Sequence, residues 1–82
     1  MIYLIQYDRK LGELVRVEEF PVGSMQRAEE VRLGVELDLL RRKVAHEVVL
    51  LEATNEDELR KTHRRYFERL EQLLSDSSAS AN

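Results

Sequence analysis

Arg60, Lys61, Thr62, His63, Arg64 and Arg65 form the densest chemistry-bearing run of the chain. On a helix Lys61, Arg65 and Arg69 recur every fourth residue, so a single face would carry a row of positive charge able to follow phosphates. Arg60, Lys61, Arg64, Arg65 and Arg69 together are thus a candidate nucleic-acid-binding face. The same run also reads as a solvated surface, because Glu56, Asp57 and Glu68 stand one helical turn from Arg60, Lys61 and Arg64. A second basic run, Arg41, Arg42 and Lys43, closes a helix, where cations complement the macrodipole.

His46 and His63 are the only imidazoles, and no cysteine is present. A metal site would therefore need Asp or Glu to complete its shell, and neither histidine has the HxxxH or HxxE spacing that delivers a second ligand. His63 falls in an apolar helical stripe and His46 in a loop, positions that suit structural, hydrogen-bonded roles. Glu47 and Glu52 bracket a strand, but residues five apart on a strand point to opposite faces and make no acid and base pair. Gly-rich phosphate loops, GxSxG elbows and HExxH runs are absent. No catalytic, metal-binding or cofactor-binding residue is assigned, and the chain is expected to be non-enzymatic.

The elements that would position these residues follow from periodicity. Ile2 to Tyr7 reads as a strand with both alternating sets apolar, which suits the middle of a sheet. Asp8 to Gly12 is a turn, and Glu13 to Phe20 is a second strand whose Val15 and Val17 alternate with Arg16 and Glu18. Pro21 ends it, Ser24 offers an N-cap, and a helix spans about Met25 to Lys43 with Gly34 in its middle. Glu47 to Ala53 is a third strand, apolar on both faces. Thr54 or Asn55 then caps a second helix whose stripe is Leu59, His63, Tyr66, Leu70 and Leu73, widened by Phe67 and Leu74. Ser75 to Asn82 is too polar and small to order itself.

These elements give a ββαβα chain in the α+β class: a single domain over residues 1–74, followed by a disordered tail over residues 75–82. A right-handed crossover through the first helix places the third strand beside the first, so the three-stranded, mainly antiparallel sheet takes the order 2-1-3 with two helices. The third strand is then an edge, to be shielded by the second helix or joined to another copy. Should both helices share a sheet face, the other face would stay uncovered.

Eighty-two residues support only a thin core, and without cysteine oligomerisation is the common reinforcement. The near balance of 13 basic against 16 acidic residues fits a protein surface better than a polyanion binder. The Ile2 to Ile5 run is too short for a membrane span, and a cytoplasmic protein is expected. The first helix carries the most informative pattern. Ala28, Val31, Val35 and Leu39 line one stripe, while Leu33, Leu37, Leu40 and Val44 line another roughly opposite. The second stripe either meets the second helix inside the same monomer or meets another molecule. A homodimeric interaction or regulatory module using Leu33, Leu37, Leu40 and Val44 is the preferred reading, with a heterologous protein partner and nucleic acid as alternatives.

Overall fold

The structure, a computed structural model, describes residues 1–67 of the 82. The expected continuation of the second helix through Leu70, Leu73 and Leu74, the cation Arg69 and the tail over residues 75–82 lie outside the described residues. Strand β1 covers Ile2–Asp8, β2 Glu13–Phe20, helix α1 Met25–Arg42, β3 Glu47–Glu52, α2 Glu56–Thr62 and α3 Arg64–Phe67. The sheet is antiparallel in the order β2-β1-β3, with Leu4 opposite Glu18 on one side and Leu50 on the other.

β1 takes the centre because both its faces are apolar. Ile2 and Leu4 point to one side and pack with Phe20, Ala28, Val31, Val48 and Leu50 beneath α1. Tyr3 and Ile5 point to the other and pack with Leu59, Tyr66, Val17, Val49 and Leu51 beneath α2 and α3. The helices therefore lie on opposite faces, giving three layers, and neither face of β1 is left bare. The chain changes face after β3, where the Ala53 amide donates to the Met1 carbonyl at 3.1 Å and extends the ladder just before α2 begins.

Local chemistry fixes the connections. Asp8 Oδ1 accepts from the amides of Lys10 and Leu11, both at 3.0 Å, and Gly12, with φ +68°, donates to the Asp8 carbonyl. A bulge then shifts the register, so that Gln6 pairs with Arg16 but Tyr7 with Leu14. This displaces Val15 from the expected alternation: Leu14 and Val17 join the core, and Val15 is exposed. Ser24 occupies the N-cap of α1 but makes no side-chain cap bond, whereas Asn55 Oδ1 caps α2 by accepting from the Glu58 amide at 2.9 Å.

α1 ends in a Schellman arrangement. Lys43 adopts the left-handed conformation, its amide donates to the Leu40 carbonyl, and the Val44 amide donates to that of Leu39. The expected single second helix is broken at His63 (φ −127°, ψ 48°) into α2 and α3. Just before the break the Thr62 hydroxyl donates to the Glu58 and Leu59 carbonyls, competing with the backbone ladder.

Two stability changes test this packing. Leu59→Ala, emptying a fully buried position under α2, is expected to cost about 3 kcal/mol in denaturant unfolding. Lys43→Gly relieves a left-handed non-glycine backbone and is expected to raise stability by about 0.5–1 kcal/mol.

Candidate functional site

α1 uses only half its circumference to bind the sheet. Ala28 and Leu39 are buried against it, and Val31 and Val35 are half-buried beside them. On the far side Leu33, Leu37 and Leu40 remain 55%, 51% and 75% exposed. Because α2 and α3 sit on the other face of the sheet, they do not cover this stripe, which rules out the intramolecular contact for the described part of the second helix. Val44 is placed differently from its three companions: it lies beyond the helix, half-buried in the C-terminal cap.

Charged side chains frame the leucines. Along one edge Arg32 donates to Glu29 at 2.6 Å and Glu36 at 3.1 Å. Along the other edge stand Glu30, Gly34 and Arg41. Glu30 and Arg41 form no ion pair among the described residues. Nothing lies within 4 Å of the position a Cβ would take at Gly34, so no close approach inside the chain explains that glycine.

The basic residues of the second helix are drawn into the chain's own interactions. Arg60 donates to Glu56 at 2.8 Å and lies 4.6 Å over the Phe67 ring. Lys61 is 3.6 Å from Glu58, where Asp57 had been the expected partner. Arg65 donates to Glu47 at 2.7 Å and to the Tyr66 hydroxyl at 2.9 Å, and Arg64 also has interaction partners. The break at His63 separates Lys61 from Arg65, so the continuous row expected through Arg69 does not form across the described residues.

His46 lies in a cluster that sequence reasoning missed. Its Nδ1 accepts from Gln6 Nε2 at 2.9 Å, which leaves the proton on Nε2, 3.5 Å from Asp8 Oδ2. Both ring nitrogens are thus occupied, and Gln6 is buried at 7% exposure within the sheet. One signal was available: Gln6 is the polar residue in the otherwise apolar series Ile2, Leu4, Gln6 on the α1 face. The Asp8 carboxyl is held below its ordinary range by the Leu11 amide, opposed by burial and assisted by the Lys10 amide and His46. His63 is half-buried, its ring 6.4 Å from that of Tyr66.

On the opposite face Glu47 meets Tyr66 and Arg65, with Arg9 at 3.9 Å, while the Tyr66 ring packs edge-on against Tyr7 at 5.5 Å. The Tyr66 hydroxyl, then Arg65 and Arg9, hold the Glu47 carboxyl below its ordinary value against the opposing effect of burial. Glu52 stands on the α1 side of the sheet, apart from Glu47 as the strand spacing requires. Among the described residues no three His, Asp or Glu side chains are grouped to hold a metal, and no helix is long and apolar enough to cross a membrane. Comparison of the chain with protein-family models, curated proteins and solved structures found no match.

A depressed carboxyl stabilises the fold above its unfolded pKa, and this contribution is lost as pH falls through the lower folded value. Stability attributable to Glu47 is therefore complete above about pH 4.5 and disappears below it. Glu47→Gln is expected to be less stable than the parent at neutral pH, with the two denaturation midpoints converging in acid. Midpoints that stay equally separated down to about pH 2.5 would contradict the assignment.

Proposed function

We propose that the chain is a non-catalytic, homodimeric interaction or regulatory module, and that α1 forms its self-association surface. The single observation that carries this reading is the exposed leucine stripe on the only described helix of its sheet face. Leu33, Leu37 and Leu40 follow the 4-3 spacing of a coiled-coil seam, and isolated exposed leucines would have no reason to keep it.

A second copy is favoured over other occupants by the charge along the helix. Arg32 already pairs with Glu29 and Glu36, and Arg42 with Asp38, which leaves beside the stripe Glu30 towards the N-terminal end and Arg41 at the C-terminal end. A two-fold axis crossing the helix near Glu36 and Leu37 pairs two copies antiparallel. Leu33 then opposes the partner's Leu40, and Glu30 comes within reach of the partner's Arg41. Glu30 and Arg41 on that edge form no ion pair among the described residues, and Gly34 between them leaves the partner room to approach. A helix of 18 residues is only about 27 Å long, so the seam belongs to the small end of specific interfaces. The reading carries with it the cytoplasmic location expected from the sequence.

Nucleic-acid binding ranks second because Arg60, Lys61, Arg64 and Arg65 already have partners within the chain. Absolute mass by light scattering after size exclusion tests the dimer from micromolar to submillimolar concentration. The expected result is a rise from 9.7 kDa towards twice that mass, abolished by Leu37→Glu with Leu40→Glu while circular dichroism stays unchanged. A persistent monomer, or a dimer indifferent to both substitutions, would overturn it. Salt-dependent binding to mixed RNA or DNA, lost on Lys61→Ala with Arg64→Ala, would move the second reading to first.

A further inference from the structure

At the end of the sheet where β1 turns into β2 and α1 returns to β3, an open cleft of about 560 Å³ is lined by Asp8, Arg9, Lys10, Lys43, Val44, Ala45 and His46. We infer that this cleft binds the diphosphate group of a small phosphorylated molecule through Arg9, Lys10 and Lys43. The inference goes beyond dimerisation and is independent of it, since every residue it uses belongs to one chain.

Three basic residues from two separate loops line one concavity, against the single carboxylate of Asp8. Lys10 and Lys43 form no ion pair among the described residues, and Arg9 has only Glu47 at 3.9 Å. Asp8 is the one acid lining the cleft and remains a carboxylate, outnumbered by the three cations; its Oδ1 accepts from the Lys10 and Leu11 amides and its Oδ2 lies 3.5 Å from His46. These contacts make it a brace. By fixing the Lys10 amide it sets the turn that carries Arg9 and Lys10, while the chain from buried Gln6 through His46 ties the same turn to the β3 entry.

One side of the cleft is the segment that directly follows α1, beside a helix C-terminus whose free carbonyls disfavour an anion. Here two of the last four carbonyls, those of Leu39 and Leu40, already accept from the Val44 and Lys43 amides, which lessens that repulsion. Lys43 holds the left-handed position where glycine is the ordinary residue, and so places a cation at the lip of the cleft at a conformational cost. Two adjacent phosphoryl groups match three cations better than one does. The one ring lining the cleft is the His46 imidazole, engaged edge-on by Gln6 and Asp8, and no Phe, Tyr or Trp lines it, so a nucleoside attached to the diphosphate gains little stacking surface.

Isothermal titration with inorganic pyrophosphate, orthophosphate and adenosine diphosphate, in magnesium-free buffer at low salt, tests the assignment. Saturable binding of one pyrophosphate per chain is expected, with orthophosphate about tenfold weaker and adenosine diphosphate within about threefold of pyrophosphate. Lys43→Gly removes one cation from a fold it should stabilise, and Lys10→Ala removes another. Each is expected to weaken pyrophosphate binding about tenfold, while Lys61→Ala on the remote helix leaves it unchanged. No saturable heat, binding that survives both Lys10→Ala and Lys43→Gly, or binding of adenosine diphosphate without pyrophosphate would each overturn the inference.

Discussion

The architecture depends on burying both faces of one short strand. Ile2, Tyr3, Leu4 and Ile5 alternate across β1, and each gains about 2 kcal/mol only when its own side of the sheet is covered. A two-layer arrangement would have left Tyr3 and Ile5, or Ile2 and Leu4, in water. Placing α1 on one face and α2 with α3 on the other meets both demands within 67 described residues. The cost is that each helical layer is one helix deep, so whatever its outer side carries is left to solvent or to a partner.

That constraint gives α1 its two characters. Its sheet side carries Ala28, Val31, Val35 and Leu39, which pack over β1 and β3. Its outer side carries larger leucines, which no described element reaches. Their exposure follows from topology: the other described helices, α2 and α3, are separated from α1 by the thickness of the sheet.

Polar chemistry gathers at the other structural necessity, the end of the sheet where two connections meet. Gln6 is buried and must find a hydrogen-bond partner, His46 supplies it, and Asp8 receives the second imidazole nitrogen while closing the hairpin turn. On the reverse face Glu47 is held by Arg65 and Tyr66, which anchors α3 to the start of β3. Two consecutive residues, His46 and Glu47, thus pin the same strand end, one to β1 and its turn and the other to α3.

The sequence by itself determined the three strands, the hairpin and the two-sided pattern of α1, because each rests on periodicity or turn chemistry that is local, and the 2-1-3 order followed from those elements and the crossover rule. It also located the leucine stripe, apart from Val44, whose place was set by the left-handed cap at Lys43. Only the tertiary structure decided which face each helix covers, since strand alternation is symmetric with respect to the two sides. The bulge that expels Val15, the break at His63 and the Gln6, His46 and Asp8 chain were likewise decided there. Each arises from contacts between segments distant in the chain or from competition for a hydrogen bond, and neither leaves a regular spacing in the sequence.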